Sequence, residues 1–332
     1  MNEYLSAEIF NKELKNKFLE KYPAESKRFY NYVFKKTYET ELQLNKDLYD
    51  FTNDELIACI KSFNNTSVQS IYSVLSILRQ YIDFCIKQGV LSTNTNYLNG
   101  IGGYNDVKKY LDVNACQNRH IDINTLKEIT DMCLNSQDAV IFALLFEGVK
   151  GVRCEELVNL KKSDCNFQNN TLTLTQNNGD KRTLIVSDFT MQFIEDASNA
   201  TKYIKNNGEL DFSFVSAPAY AIQQNEYVLR ISSREAQGAI NPCNIIGRVN
   251  RIKAFYGNPY LTVTNIWISG MIHEAFQILN NKYKLNNINL DTITSLSKND
   301  YLLINKKFGF ADIYWYKIKE KVETYINMNN LL

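Results

Sequence analysis

Proline and histidine are scarce in this chain of 332 residues, which has four of the first and only two of the second, His120 and His273. Few prolines and 13 glycines leave little room for an architecture of many tight turns and favour long helices. Two histidines are too few for an ordinary His/Cys metal centre, and no cofactor is expected. Seven cysteines, an odd number with no C-x-x-C pair, exclude a disulfide framework and read as reduced thiols. Excess charge is also missing. Lys and Arg total 37 against 36 for Asp and Glu, a formal charge of +1, so any nucleic-acid-binding face has to be local. The longest strongly apolar run, Ala139 to Phe146, is too short to span a membrane, and the N-terminus lacks a signal-peptide core. A soluble, cytoplasmic protein without a membrane partner is the expectation.

The length suggests two domains. Val68, Ile71, Leu75, Leu78, Ile82 and Cys85 step by three or four along one helix face. Thr52 or Asn53, followed by Glu55, offers an N-cap upstream. Phe18 to Tyr38 is helical in character but interrupted at Pro23, with Lys21, Lys27, Arg28, Lys35 and Lys36 as a basic face. The glycine cluster after Asn99 reads as a linker over 99–119, in which Lys108 and Lys109, with Arg119, are candidate phosphate contacts. Thr125 to Glu128 has a capping-box pattern, and the apolar helix that follows is expected to be buried and to end at Gly151. "TLTLT" (Thr171 to Thr175), an Asn/Gly/Asp turn and "TLIVS" form a hairpin signal. Helical character returns at Asp188 and again over Thr264 to Asn280 and Ala311 to Tyr325. Between them lies an arginine-rich segment with Arg230, Arg234, Arg248, Arg251 and Lys253.

"GVRCEELVNLKKSD", Gly151 to Asp164, carries the pattern G-x-R-x-x-E-L-x-x-L-x-x-x-D at Gly151, Arg153, Glu156, Leu157, Leu160 and Asp164. With a buried helix before it and a hairpin after it, this box resembles that of the tyrosine recombinases, the phage integrase family. The resemblance implies a mainly α fold with a small β-hairpin or sheet, a two-domain C-shaped clamp on duplex DNA. It implies a helical core-binding-like domain over 1–98 and a catalytic-type domain over 120–332. Arg153 is a phosphate-contact candidate, since a guanidinium fork suits an anion; the alternative is internal pairing with Glu155, Glu156 or Asp164. Lys181 and Arg182 on the hairpin are further backbone-contact candidates.

Family chemistry needs a tyrosine nucleophile, a second arginine, histidines and a hairpin lysine. In the second box, "TVTNIWISGM", Thr264 stands at the first histidine position, Trp267 at the arginine and Ile268 at the next histidine, while Ser269-Gly270 still fits. In the third, "KKFGFADIYWYKIKEK", Phe310 replaces a histidine and the nucleophile position falls on Lys319; Tyr301, Tyr314 and Tyr316 are other candidates. The resemblance therefore points to a catalytically inactive, sequence-specific DNA-binding protein that occupies operator sites. It is similar to the integrase-fold repressors that maintain lysogeny in SPβ-type Bacillus phages. An active divergent recombinase is the alternative. A regulatory protein or peptide partner and the oligomeric state are left open.

Overall fold

The computed structural model describes residues 8–91, 95–209, 217–235, 238–284 and 289–329. The chain divides into two compact units, Met1–Cys116 and Gln117–Leu332. The stretch 99–119, expected as a linker, carries two short helices, and the division falls near its end.

The first unit is helical: α1 (Lys12–Leu19), α2 (Ala24–Leu44), α3 (Asn53–Lys61), α4 (Val68–Lys87) and α5 (Tyr104–Lys108), with α6 (Val113–Asn118) beginning at its end. Pro23, held extended, separates α1 from α2, because its ring is tolerated before a first helical turn but not inside one. Thr52 caps α3 in a reciprocal capping box with Glu55, and Ser67 caps α4. The apolar row on α4 is buried at Ile71, Leu75, Leu78, Ile82 and Cys85. Against it lies an unusual core charge. Lys15 is fully buried, pairs with Glu41 at 2.5 Å and lies over the Phe34 and Tyr81 rings.

The second unit contains α7 (Ile123–Met132), α8 (Ser136–Phe146), α9 (Glu155–Asn159), α10 (Asp188–Asn199), α11 (Pro242–Tyr256), α12 (Val263–Tyr283), α13 (Leu290–Ile293), α14 (Lys298–Lys307) and α15 (Trp315–Asn329). Its strands are β1 (Cys165–Asn166), β2 (Thr171–Thr175), β3 (Lys181–Ile185), β4 (Lys202–Ile204) and β5 (Ala219–Ala221). β1, β2 and β3 form an antiparallel sheet and β4 pairs with β5. The hairpin register sets Leu174 opposite Arg182 and Thr175 opposite Lys181, so the second strand begins two residues before the expected "TLIVS".

Helix α8 is buried from Gln137 to Phe146, as its lack of a polar face requires. Two details differ from expectation. Asp122, not Thr125, caps α7, its carboxylate accepting from the Thr125 amide. α8 ends at Phe146 rather than at Gly151, where its last carbonyls meet α12. A Cβ on Gly270 of α12 would lie 1.8 Å from the Phe146 carbonyl oxygen, so only glycine permits this helix crossing. Ser269 ties the same crossing to the segment leading into α7, accepting from the Ile121 amide and donating to the Asn265 carbonyl. The first core joins α7, α8, α10, α11 and the hairpin; a second gathers the later turns of α12 with α14 and α15. The fold is mainly α with small antiparallel sheets. Among the described residues, no helix is long and apolar enough to cross a membrane.

Candidate functional site

Between α8 and α9 the chain makes a sharp turn that carries the box. Gly151 has φ +66°, and a Cβ there would meet the Glu155 and Glu156 side chains below 3 Å. Arg153 (φ 53°) and Cys154 (φ 66°) follow in the left-handed region, where each non-glycine residue costs about 1–3 kcal/mol. Two buried carboxylates hold this shape. Glu155 accepts from the Val152 amide at 3.0 Å and from the Asn177 amide at the hairpin tip at 2.9 Å. Glu156 accepts from the Lys150 amide at 2.9 Å and takes a bidentate pair from Arg182 at 2.6 and 2.8 Å. Asp164 is engaged by the Lys161 amide. The three carboxylates considered as partners for Arg153 are thus occupied. Arg153 is exposed, and among the described residues its guanidinium has no hydrogen-bond or ion-pair partner.

Arg182 is the opposite case. Besides Glu156, it donates to the Lys307 carbonyl at 2.6 Å and to the Gly148 carbonyl at 2.8 Å. Its fork joins β3, the end of α8, the box turn and the end of α14, so four of its five N–H donors face inward rather than toward DNA. Lys181, beside it, is exposed.

Trp267 reaches the same carbonyl. Its Nε1–H donates to Gly148 O at 3.3 Å. Its ring contacts Phe308 at 5.9 Å and Phe310 at 5.1 Å, and the Lys150 ammonium lies 4.8 Å from its centroid. Two positions read as substituted catalytic ones, Trp267 and Phe310, therefore meet as an aromatic cluster next to the box turn. Ile268 packs into the second core, Thr264 is exposed at the start of α12, and Lys319 is exposed on α15 with Glu323 at 3.7 Å. The histidines make other ring contacts, His120 with Tyr325 and His273 with Phe146. Burial lowers the pKa of both, that of His120 to about 3. Tyr301 is buried, and burial, with Glu323 and Asp300 nearby, pushes its phenol above the usual range. Tyr316 is half exposed, and Lys317 lies over Tyr314 at 4.2 Å.

The arginine-rich segment needs correction. Arg230 is fully buried; its guanidinium donates to the carbonyls of Gln223, Ala197, Ser198 and Ala200, capping the end of α10. Arg248 is 5% exposed, donates to the Arg230 carbonyl and lies 3.7 Å from the buried Asp138. Arg251 donates to the Tyr203 hydroxyl at 2.6 Å. These three hold β4, α8, α10 and α11 together, so Arg230 and Arg248 cannot meet a duplex. Arg234 is exposed and Lys253 half-buried. In the first unit Lys108 is half-buried, and Lys109 is exposed beside Asp106 at 3.7 Å. Lys150 was missed by sequence reasoning, though its place next to Gly151 was a usable signal. Among the described residues, no group of three His, Cys, Asp or Glu side chains is arranged to hold a metal.

A helical first unit, then a buried helix, an arginine box, a hairpin and a tail of helices make this an integrase-fold chain of the tyrosine-recombinase kind. More closely, residues 121–332 match the family described as "MrpR, C-terminal catalytic domain" and residues 9–87 match "MrpR, N-terminal core-binding domain". The chain belongs to the MrpR family. It is 28% identical to the SPbeta prophage-derived protein YopR of Bacillus subtilis (strain 168), over 84% of this chain and 85% of that one. Among solved structures, it is similar to the XerA recombinase, with 14% identity, 96% of each chain covered and a TM-score of 0.42. It is also similar to the Tn1549 transposon integrase in complex with circular intermediate DNA, with 11% identity, 96% and 99% covered and a TM-score of 0.44.

Proposed function

We propose that this protein is a catalytically inactive, sequence-specific DNA-binding protein, a phage transcriptional repressor that acts by occupying operator sites. The observation that carries the proposal is the meeting of Trp267 with Phe310 where charged donors would otherwise face a phosphoryl group. Loss of one preorganised donor lowers a rate by about 10²–10³-fold. Here an arginine and histidines are replaced together, and the guanidinium nearby, Arg182, directs four of its five donors to Glu156 and two carbonyls. Such losses do not add simply, but each acts in the same direction. Tyr301, a buried neutral phenol, is a poor nucleophile. The match to a prophage-derived relative supports a phage setting.

DNA contact rests on cations that the fold leaves free. Arg153, Lys181 and Arg234 are exposed, while the near-neutral whole keeps the attraction local. Phosphate contacts would supply affinity and base-edge contacts the choice of sequence. The test has two arms. Purified protein is used to select fragments from the source genome, and a duplex with a strand nick is offered as a suicide substrate. Selective retention of a few sequences, without any covalent adduct, is expected. A covalent adduct lost on Tyr316→Phe or Tyr301→Phe would instead establish an active divergent recombinase, and retention of no fragment would end the DNA-binding reading.

A further inference from the structure

We propose that Lys150, resting on the indole of Trp267, is a ligand for a DNA backbone phosphate, and that Trp267 serves as its platform. On this view the second-arginine position no longer contacts phosphate itself and instead seats a cation supplied by the neighbouring turn. The inference rests on the DNA-binding reading and adds to it a particular site and geometry.

Four observations converge on it. The ammonium lies 4.8 Å from the indole centroid, within the range of a cation–π contact, and Trp presents the strongest such face of the aromatic side chains. The indole is itself fixed, by its hydrogen bond to Gly148 and by Phe308 and Phe310, so the cation has a defined seat. Lys150 has no carboxylate partner among the described residues. Among the described residues its ammonium donates only to the Gly151 carbonyl, at 3.4 Å, which leaves the other donors open to an anion. Finally, the acids nearby already serve other donors: Glu156 accepts from Arg182 and the Lys150 amide, Glu155 from two backbone amides. Lys150 and Arg153 thus stand three residues apart on one strained turn, two cations with no carboxylate partner among the described residues. Strain of this kind persists where surrounding structure enforces it, commonly at ligand sites.

The salt dependence of binding to a mixed-sequence duplex tests this, because phosphate contacts are sequence-independent. The wild type is compared with K150Q, K150R, W267F, W267L and K150Q/W267L by fluorescence anisotropy across a salt series, with melting temperatures as the folding control. Loss of one phosphate contact lowers the slope of log K against log salt by about 0.9. K150Q and W267L are each expected to show that loss, the double variant no more than either, and K150R and W267F to keep most of the wild-type slope. A wild-type slope in K150Q overturns the proposal. A double variant that loses about 1.8 shows two independent contacts and overturns the platform. K150Q and W267F carry the test even where W267L melts early. Failure of the wild type to bind any duplex is a different result, because it removes the DNA-binding reading itself.

Discussion

Arg153 and Arg230 sit in similarly charged stretches of sequence, yet the fold treats them in opposite ways. Around Arg230, carbonyls at the end of α10 and a loop converge on the guanidinium, and Arg248 beside it faces the buried Asp138. Around Arg153, every carboxylate within reach along the chain is taken by a backbone amide or by Arg182. The difference teaches that a cation's availability is set by the acceptors its neighbours leave over. A buried guanidinium draws most of its donors into such bonds, because an unmet one carries the full desolvation cost; Arg230 leaves its Nε without a partner among the described residues. An exposed guanidinium needs none. Counting arginines in a segment therefore says little about where a phosphate is gripped.

The comparison breaks most sharply at the inward-facing set. Arg182→Leu leaves Glu156, 1% exposed, without its cation, and unpairing a buried charge costs about 3–5 kcal/mol. Urea unfolding of the full chain should show a loss of that order. Arg248→Met should cost somewhat less, about 3 kcal/mol, since the pair to Asp138 is longer at 3.7 Å while the Arg230 carbonyl also loses its donor. Both variants, assayed where they remain folded, should keep the wild-type salt slope for duplex binding. A lowered slope in Arg248→Met would erase the distinction between the two regions.

The fold was largely legible because its signals are local. The apolar step on α4, the Thr52 capping box, the break at Pro23, the uniformly apolar α8 and the alternating β2 each depend on neighbours within a few residues. The box was legible as a pattern, and its acids were weighed as possible partners for Arg153, a pairing that none of them makes. Which partner each would take was not legible, since Glu155 reaches Asn177 and Glu156 reaches Arg182 across the hairpin. Arg230 and Arg248 were misread for the same reason: their acceptors lie 6–33 and 18–111 residues away. The platform under Lys150 comes from a residue 117 positions later, a spacing set only by the packing of α12 against α8. The α7 cap was misplaced by a smaller error, because Asp122 and Thr125 both suit that role.

Arg153 sharpens the comparison from the other side. Its left-handed backbone is strained for an L side chain, so Arg153→Gly relieves strain while raising the entropy of the unfolded chain. The expected net effect is a change in stability between zero and a gain of about 1 kcal/mol. Duplex binding should weaken together with a slope lower by about 0.9. A variant that is less stable and binds as before would place Arg153 with the structural arginines.

Asp300 tests the smallest and most general form of the argument, that buried charge in this fold is met by dedicated donors. It caps α14 reciprocally with Ser297 and accepts from Lys282 and from the Tyr283 hydroxyl, each at 2.7 Å. Burial pushes its pKa upward, but hydrogen bonds from Lys282, Tyr283 and Ser297 outweigh it and hold the carboxyl well below its ordinary value. A carboxyl with its folded pKa below the unfolded one stabilises the protein above the unfolded pKa, and that contribution is lost as pH falls toward the folded pKa. Asp300→Asn should therefore cost about 1 kcal/mol at neutral pH, the scale of a helix cap. The cost should shrink through the acid range in which an unfolded aspartate takes up its proton. Because Lys282 is half exposed, salt should reduce the effect only in part, with the Ser297 and Tyr283 contributions surviving. Paired stability–pH profiles of the two proteins would check this, and parallel profiles would mean that the carboxylate's charge is not what holds α14 in place.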